Sequence, residues 1–335
     1  MTRTPPARSP RRAHKPKRGG SPLETKALLA VLVLGLCVAS AIFIWIQRGR
    51  GAPRFDAQSA FRYLLAQCDF GPRAPGSEGH RRCLGYLLQE LGRHAKRVDT
   101  HRFTYADRND PGRIYEGANI IASFDPIPRQ ERRIMLCAHW DTRPWADRDP
   151  DPEKRRRPIL GANDGASGVA VLLEMARIMH KRPPRMGVDI VLFDLEDIGD
   201  EGNSPNPFAI GSERFVQDHP WYRPSLGILV DMVGDRDLSI RMEGYSYVSA
   251  RPVVEMIWEA AGRVGSKAFV TSLGGPVLDD HIAFLKRGIM VANLIDFDYP
   301  YWHTMEDAPD KCSPASLKQV GDVLVELVYG VHGLR

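Results

Sequence analysis

Four short apolar runs in this chain each close on acids or on a histidine, and that pattern restricts its architecture more than any other feature. Arg133 to His139 ends at His139-Trp140-Asp141, and Val188 to Phe193 is followed by Asp194, Glu196 and Asp197. In Leu226 to Val233, Asp231 comes directly after Leu229-Val230. The fourth run, Ile289 to Ile295, leads through a Pro300-containing loop to Trp302-His303-Thr304. Runs of this length and apolarity suit strands buried on both faces, which needs a largely parallel sheet covered by helices. Helical spacing in Gly79–His94, Ser167–His180, Val253–Val264, Asp279–Arg287 and Pro314–Tyr329 supplies the covers. The alternation predicts a three-layer α/β sandwich.

In such sheets, ligands bind outside the carboxyl ends of the strands. The polar residues that end these runs therefore converge on one crevice. Asp164 joins them from Gly161-Ala162-Asn163-Asp164-Gly165-Ala166-Ser167-Gly168, a run of small residues just before a helix. Taken singly, each acid has an ordinary explanation as a helix cap, and each histidine as a surface residue. Five such residues at successive strand ends are hard to explain that way. One imidazole with two carboxylates leaves a zinc ion an open position for chemistry. Adjacent acids such as Glu196-Asp197 can divide the work, one ligating and one moving protons. The small-residue run lacks both the Lys-Ser/Thr of a P-loop and a G-x-G-x-x-G spacing. Ser212 is not in a G-x-S-x-G frame, which leaves a serine hydrolase little support. Trp145, Tyr299, Tyr301 and Trp302 are candidates for the pocket wall, and Arg155-Arg156-Arg157 reads as a solvated face.

The formal charge of +5 is unevenly placed. Residues 1–50 carry ten Lys/Arg and one acid, whereas the rest carries 36 basic and 40 acidic residues. A body of net −4 gives no basis for nucleic-acid binding. Residues 1–26, rich in Pro, Arg and Ser, read as a disordered cytoplasmic tail. Residues 27–46 hold no charge and are long enough to span a bilayer as a signal anchor. Eight basic residues precede that run, so the body lies outside the cytoplasm. Cleavage near Ala39-Ser40-Ala41 is the alternative, giving a secreted protein, although Ile42 to Ile46 continues the apolar run beyond it. Residues 47–59 read as a linker and 60–335 as one catalytic domain. Of five cysteines, Cys137 lies in an apolar strand, and Cys68 and Cys83 are spaced so that they could pair outside the cytoplasm.

Ala138-His139-Trp140-Asp141-Thr142-Arg143-Pro144, Gly161–Gly168, Phe193-Asp194-Leu195-Glu196-Asp197 and Trp302-His303-Thr304-Met305 resemble the zinc aminopeptidase clan. Within it, Phe70–Gly76, Arg143-Pro144-Trp145-Ala146-Asp147 and Asp279–Gly288 are most similar to the glutaminyl-peptide cyclotransferases, particularly the bacterial ones. The resemblance covers about residues 60–332. It implies a central, mostly parallel mixed sheet flanked by helices, with Asp164, Asp197 and His303 as zinc ligands. It further implies Glu196 as general acid/base, Asp231 and Asp279 holding the substrate's amino group, and Trp302 as a pocket wall. His139 and Asp231 match the second-metal ligands of the dinuclear aminopeptidases, with Asp141 orienting His139. One zinc is expected of a cyclotransferase and two of an aminopeptidase, and the motifs satisfy both. The expected partner is a peptide or protein N-terminus. The sequence departs from the animal cyclotransferases in having Asn293 for a His, Asp197 for a Glu, and no Trp between Gly199 and Asn203.

Overall fold

The computed structural model describes residues 52–110, 112–125, 133–199 and 206–330, with Lys26 and a few positions between 31 and 40. The chain divides into two units, residues 1–51 and 52–335. The expected tail and most of the expected membrane run lie outside the described residues. Among the described residues no helix is long and apolar enough to cross a membrane.

The body begins inside the stretch expected to be linker. Phe55 is buried against Gly321, where an added Cβ would lie 2.3 Å from its ring. Asp56 then caps helix α1 (Ala57–Cys68) by accepting from the Ser59 amide. After α2 (Glu78–His94) come β1 (Arg97–Ala106), β2 (Ile114–Phe124), β3 (Arg133–His139), α3 (Ala166–Lys181) and β4 (Gly187–Phe193). The chain continues through α4 (Ile210–Asp218), β5 (Leu226–Asp231), β6 (Ile240–Met242), α5 (Gly244–Ser249), α6 (Arg251–Val264) and β7 (Phe269–Leu273). It finishes with α7 (His281–Leu285), β8 (Val291–Ile295), a 3-10 turn at Pro309–Lys311, and α8 (Pro314–Tyr329).

The main sheet has six strands in the order β1-β2-β4-β3-β5-β8. β4, β3, β5 and β8 run parallel, and β2 joins β4 antiparallel. This is the mostly parallel mixed sheet expected. Period-two alternation assigns the two faces. Ile134, Leu136 and Ala138 of β3 pack with α1, α3 and α8, while Met135 and Cys137 pack with Phe215 of α4 and Phe284 of α7. Helices thus cover both faces, which makes three layers.

The pairing of Cys68 with Cys83 is corrected here: both are free, buried thiols, as are Cys137 and Cys312. Burial pushes the thiols of Cys68 and Cys83 up to about 12.

Candidate metal centre

The parallel strands deliver their carboxyl ends to one edge of the sheet, and the backbone there turns sharply. Leu195, between β4 and Glu196, has φ 56°; Met232, just after β5, has φ 45°; His303 itself has φ 55°. Left-handed backbone at non-glycine residues costs on the order of 1–3 kcal/mol each and tends to gather at functional sites. These three turns point consecutive side chains into the crevice instead of along the sheet.

Asp141 ties two strand ends together. Its oxygens accept from the amides of Glu196 and Asp197, each at 3.2 Å, and Oδ1 lies 3.5 Å from Nδ1 of His139. The Asp164 loop is held by Asp307, which accepts from the amides of Asn163 (2.8 Å) and Asp164 (3.0 Å) and from the Tyr299 hydroxyl (2.9 Å). Gly165 follows with φ +95°, and a Cβ there would lie 2.6 Å from the Asp141 carbonyl oxygen. The small residues of this run serve close approach. Arg73, from the Phe70–Gly76 loop, is fully buried and donates to the carbonyls of Trp140, Leu160 and Gly161.

Two groups of ligating atoms result, sharing Asp164: Asp164, Asp197 and His303, and His139, Asp164 and Asp231, with atoms within 4.8 Å of one another in each. His303 Nε2 lies 3.3 Å from Asp197 Oδ1 and 3.6 Å from Asp164 Oδ2. In the second group His139 Nε2 lies 3.1 Å from both Asp164 and Asp231. All five residues are buried. An imidazole with two carboxylates suits a catalytic zinc site. Moreover, Oδ2 of Asp197 is buried with no hydrogen-bond partner. A protein rarely leaves a buried carboxylate oxygen unsatisfied unless a cation or proton meets it. The residues of the first group therefore fit a divalent ion.

Glu196, Asp231 and Asp279 line the same cavity, of about 240 Å³, with Trp302 at its wall. Burial, then the charge of Asp279, pushes Glu196 well above the usual carboxyl range. Burial and Asp231 push Asp279 up to about 6. Burial and Asp197 likewise raise Asp164. Burial opposes the charged form of His303, but Asp197 and Asp147 outweigh it and raise the imidazole to about 9. Asn293 donates to Asp279 Oδ2 at 2.7 Å, which gives the departure from the animal enzymes a definite place in the site.

Asp194 does not join the cluster, although it also follows a strand. Its oxygens are taken by the amides of Ala118 and Leu195 and by His80 Nε2 at 2.9 Å. Among the aromatics, Trp302 lines the cavity and stacks on His303, with centroids 3.9 Å apart. Tyr299 is buried behind the site, and Trp145 lies against the Arg143 guanidinium. Sequence reasoning missed the rest of the apolar wall: Phe208, Met232, Val277, Leu278 and Phe297. These residues follow no periodicity that marks them.

Comparison with known proteins agrees with this geometry. Residues 119–328 match the model of peptidase family M28. The crystal structure of a glutaminyl cyclase from Tannerella forsythia is 38% identical, with a TM-score of 0.78, over 83% of this chain and 99% of that one. A Zn-dependent exopeptidase from Parabacteroides distasonis is 37% identical, with a TM-score of 0.80, over 83% and 99%. The aminopeptidase YwaD of Bacillus subtilis is 29% identical over 211 residues, or 58% of this chain; the match spans only 40% of that enzyme.

Proposed function

The chain belongs to peptidase family M28, and from that premise we propose that it is a glutaminyl-peptide cyclotransferase. It converts an N-terminal glutaminyl residue to pyroglutamate with release of ammonia. The observation that carries this reading is that Glu196, Asp231 and Asp279 face one cavity beside a ligand group whose Asp197 oxygen lacks a partner. Asp164, Asp197 and His303 would hold the zinc ion, which when bound would supply Lewis acidity for the side-chain carbonyl and offset the local negative charge.

The chain's own residues do the rest. Asp231 and Asp279 hold the α-amino group and turn its lone pair toward the carbonyl carbon of the side-chain amide. Trp302 and the apolar wall exclude water, which favours the tethered amine over hydrolysis. As the new C–N bond forms, Glu196 takes a proton from the amine. As the old C–N bond breaks, it returns that proton to the leaving nitrogen, which departs as ammonia.

A second reading is favoured by the group His139, Asp164 and Asp231, which would hold a second ion in a hydrolytic aminopeptidase. Incubation with a Gln-peptide and with leucine amide, alongside a count of bound zinc, tests the choice. Loss of ammonia from the peptide with one zinc per chain is expected. A free amino acid released by a protein with two zincs would overturn it. The uncharged run at 27–46 supports a single-pass anchor that places this chemistry outside the cytoplasm.

A further inference from the structure

The loop Arg143-Pro144-Trp145-Ala146-Asp147 contributes no ligand to either group, yet it touches the two non-shared ligands of the first. The geometry assigns Arg143 and Asp147 as positioning residues that hold Asp197 and His303 ready for the metal; the assignment rests on the metal-centre reading. Arg143 is fully buried. Its Nη1 donates to Asp197 Oδ1 at 3.0 Å and to the carbonyls of Asp197 and Gly199 at 3.2 and 2.8 Å. The other side of the guanidinium forms a two-point bond with Asp147, Nε to Oδ1 at 2.7 Å and Nη2 to Oδ2 at 2.8 Å. Asp147 Oδ1 in turn lies 3.5 Å from Nδ1 of His303.

This makes a closed chain from Asp197 through Arg143 and Asp147 to His303. An arginine stays charged at any working pH, and its planar fork fixes a carboxylate in two directions. With one oxygen engaged by Arg143, Asp197 keeps its unpartnered Oδ2. With a carboxylate facing Nδ1, the imidazole keeps its proton there and directs Nε2 toward Asp164 and Asp197. The guanidinium also lies over the rings of Trp145 and Phe208, at 5.1 and 5.6 Å, so the same residue braces a cavity wall.

The test uses the full-length protein in detergent, with zinc affinity measured by chelator competition and the visible spectrum of the cobalt(II) form. Asp147 is 38% exposed in its side chain, and the metal-free melting temperatures of Asp147→Ala and Asp147→Asn measure what its loss costs the buried Arg143. Asp147→Ala is expected to weaken zinc binding about 10–100-fold and to shift the cobalt spectrum. Asp147→Asn, which keeps an acceptor oxygen without the charge, falls between Asp147→Ala and the unaltered protein. Arg143→Lys, which keeps the charge and loses the fork, is expected to weaken binding as well. Unchanged zinc affinity and cobalt spectrum in both Asp147 variants overturn the assignment, even if their metal-free melting temperatures fall, because the loop would then be a structural brace. An unaltered protein that binds no zinc would instead defeat the metal-centre reading beneath it.

Discussion

Glu196 is buried among acids that oppose its ionisation, and the base role proposed for it draws on that opposition. A carboxyl displaced upward holds a proton more readily than an exposed one. Glu196→Gln keeps shape and burial and removes only the proton traffic. It is expected to fold and bind zinc as before while kcat falls about 10²–10⁴-fold; retained turnover in single-turnover assays would remove the acid/base assignment. His303 gives a second test. Against burial, Asp197 and Asp147 raise it to about 9 with no metal bound, yet a metal ligand must be neutral. Zinc binding at pH 7 therefore displaces a proton. Affinity should rise about tenfold per pH unit below 9 from this group alone, and level off above it. Calorimetry in buffers of differing ionisation heat measures the released proton directly. His139, Asp164, Asp197, Asp231 and His303 stood out in the sequence as metal-capable side chains that close or follow apolar runs or precede a helix, and the structure brings them together, whereas their division into ligand groups was implied only by the family resemblance. Arg143 and Asp147 were visible as a motif but not as a device, since their contacts are made only when distant strand ends meet.

At the scale of elements, the turn into α3 concentrates the steric demands of the site. Gly165 combines φ +95° with a Cβ position 2.6 Å from the Asp141 carbonyl oxygen, the residue that also receives the Glu196 and Asp197 amides. Gly165→Ala is expected to cost at least about 1–3 kcal/mol from backbone strain alone. It should lower the melting temperature by several degrees and weaken zinc binding together, because Asp164 precedes it directly. A stable variant with native zinc affinity would show that the loop relaxes away from Asp141. β3 and α8 match the sequence reading to the residue, as their apolar patterns are fully buried or cleanly one-sided. β1 escaped it: this edge strand is mostly exposed, and its sequence Arg-Val-Asp-Thr-His-Arg-Phe-Thr-Tyr-Ala carries too little apolar alternation to declare itself. The expected helix at Asp279–Arg287 is reduced to His281–Leu285. Asp279 sits ahead of it, accepting from the Asp280 amide and from Asn293, so the acid joins the site instead of the helix.

At the scale of the whole molecule, the charge division separates two ways of meeting a membrane. Ten basic residues in the first fifty could adhere to anionic lipid without insertion, and such attachment is screened by salt. The uncharged run at 27–46 predicts insertion, held by burial of apolar side chains and indifferent to salt. Membranes from cells expressing the full chain should therefore retain the protein through a high-salt wash and release it only to detergent. An anchor with its N-terminus inside, the orientation that the excess of basic residues before the run favours, predicts that protease added from the outer side of the membrane removes the body. Release by salt alone would leave the tail as a surface contact, and release without any treatment would favour cleavage near Ala39-Ser40-Ala41. The body's own net −4 gives it no general attraction to an anionic bilayer, so a variant lacking the first fifty residues is expected to stay in the soluble fraction, and its recovery with membranes would move the attachment to the body.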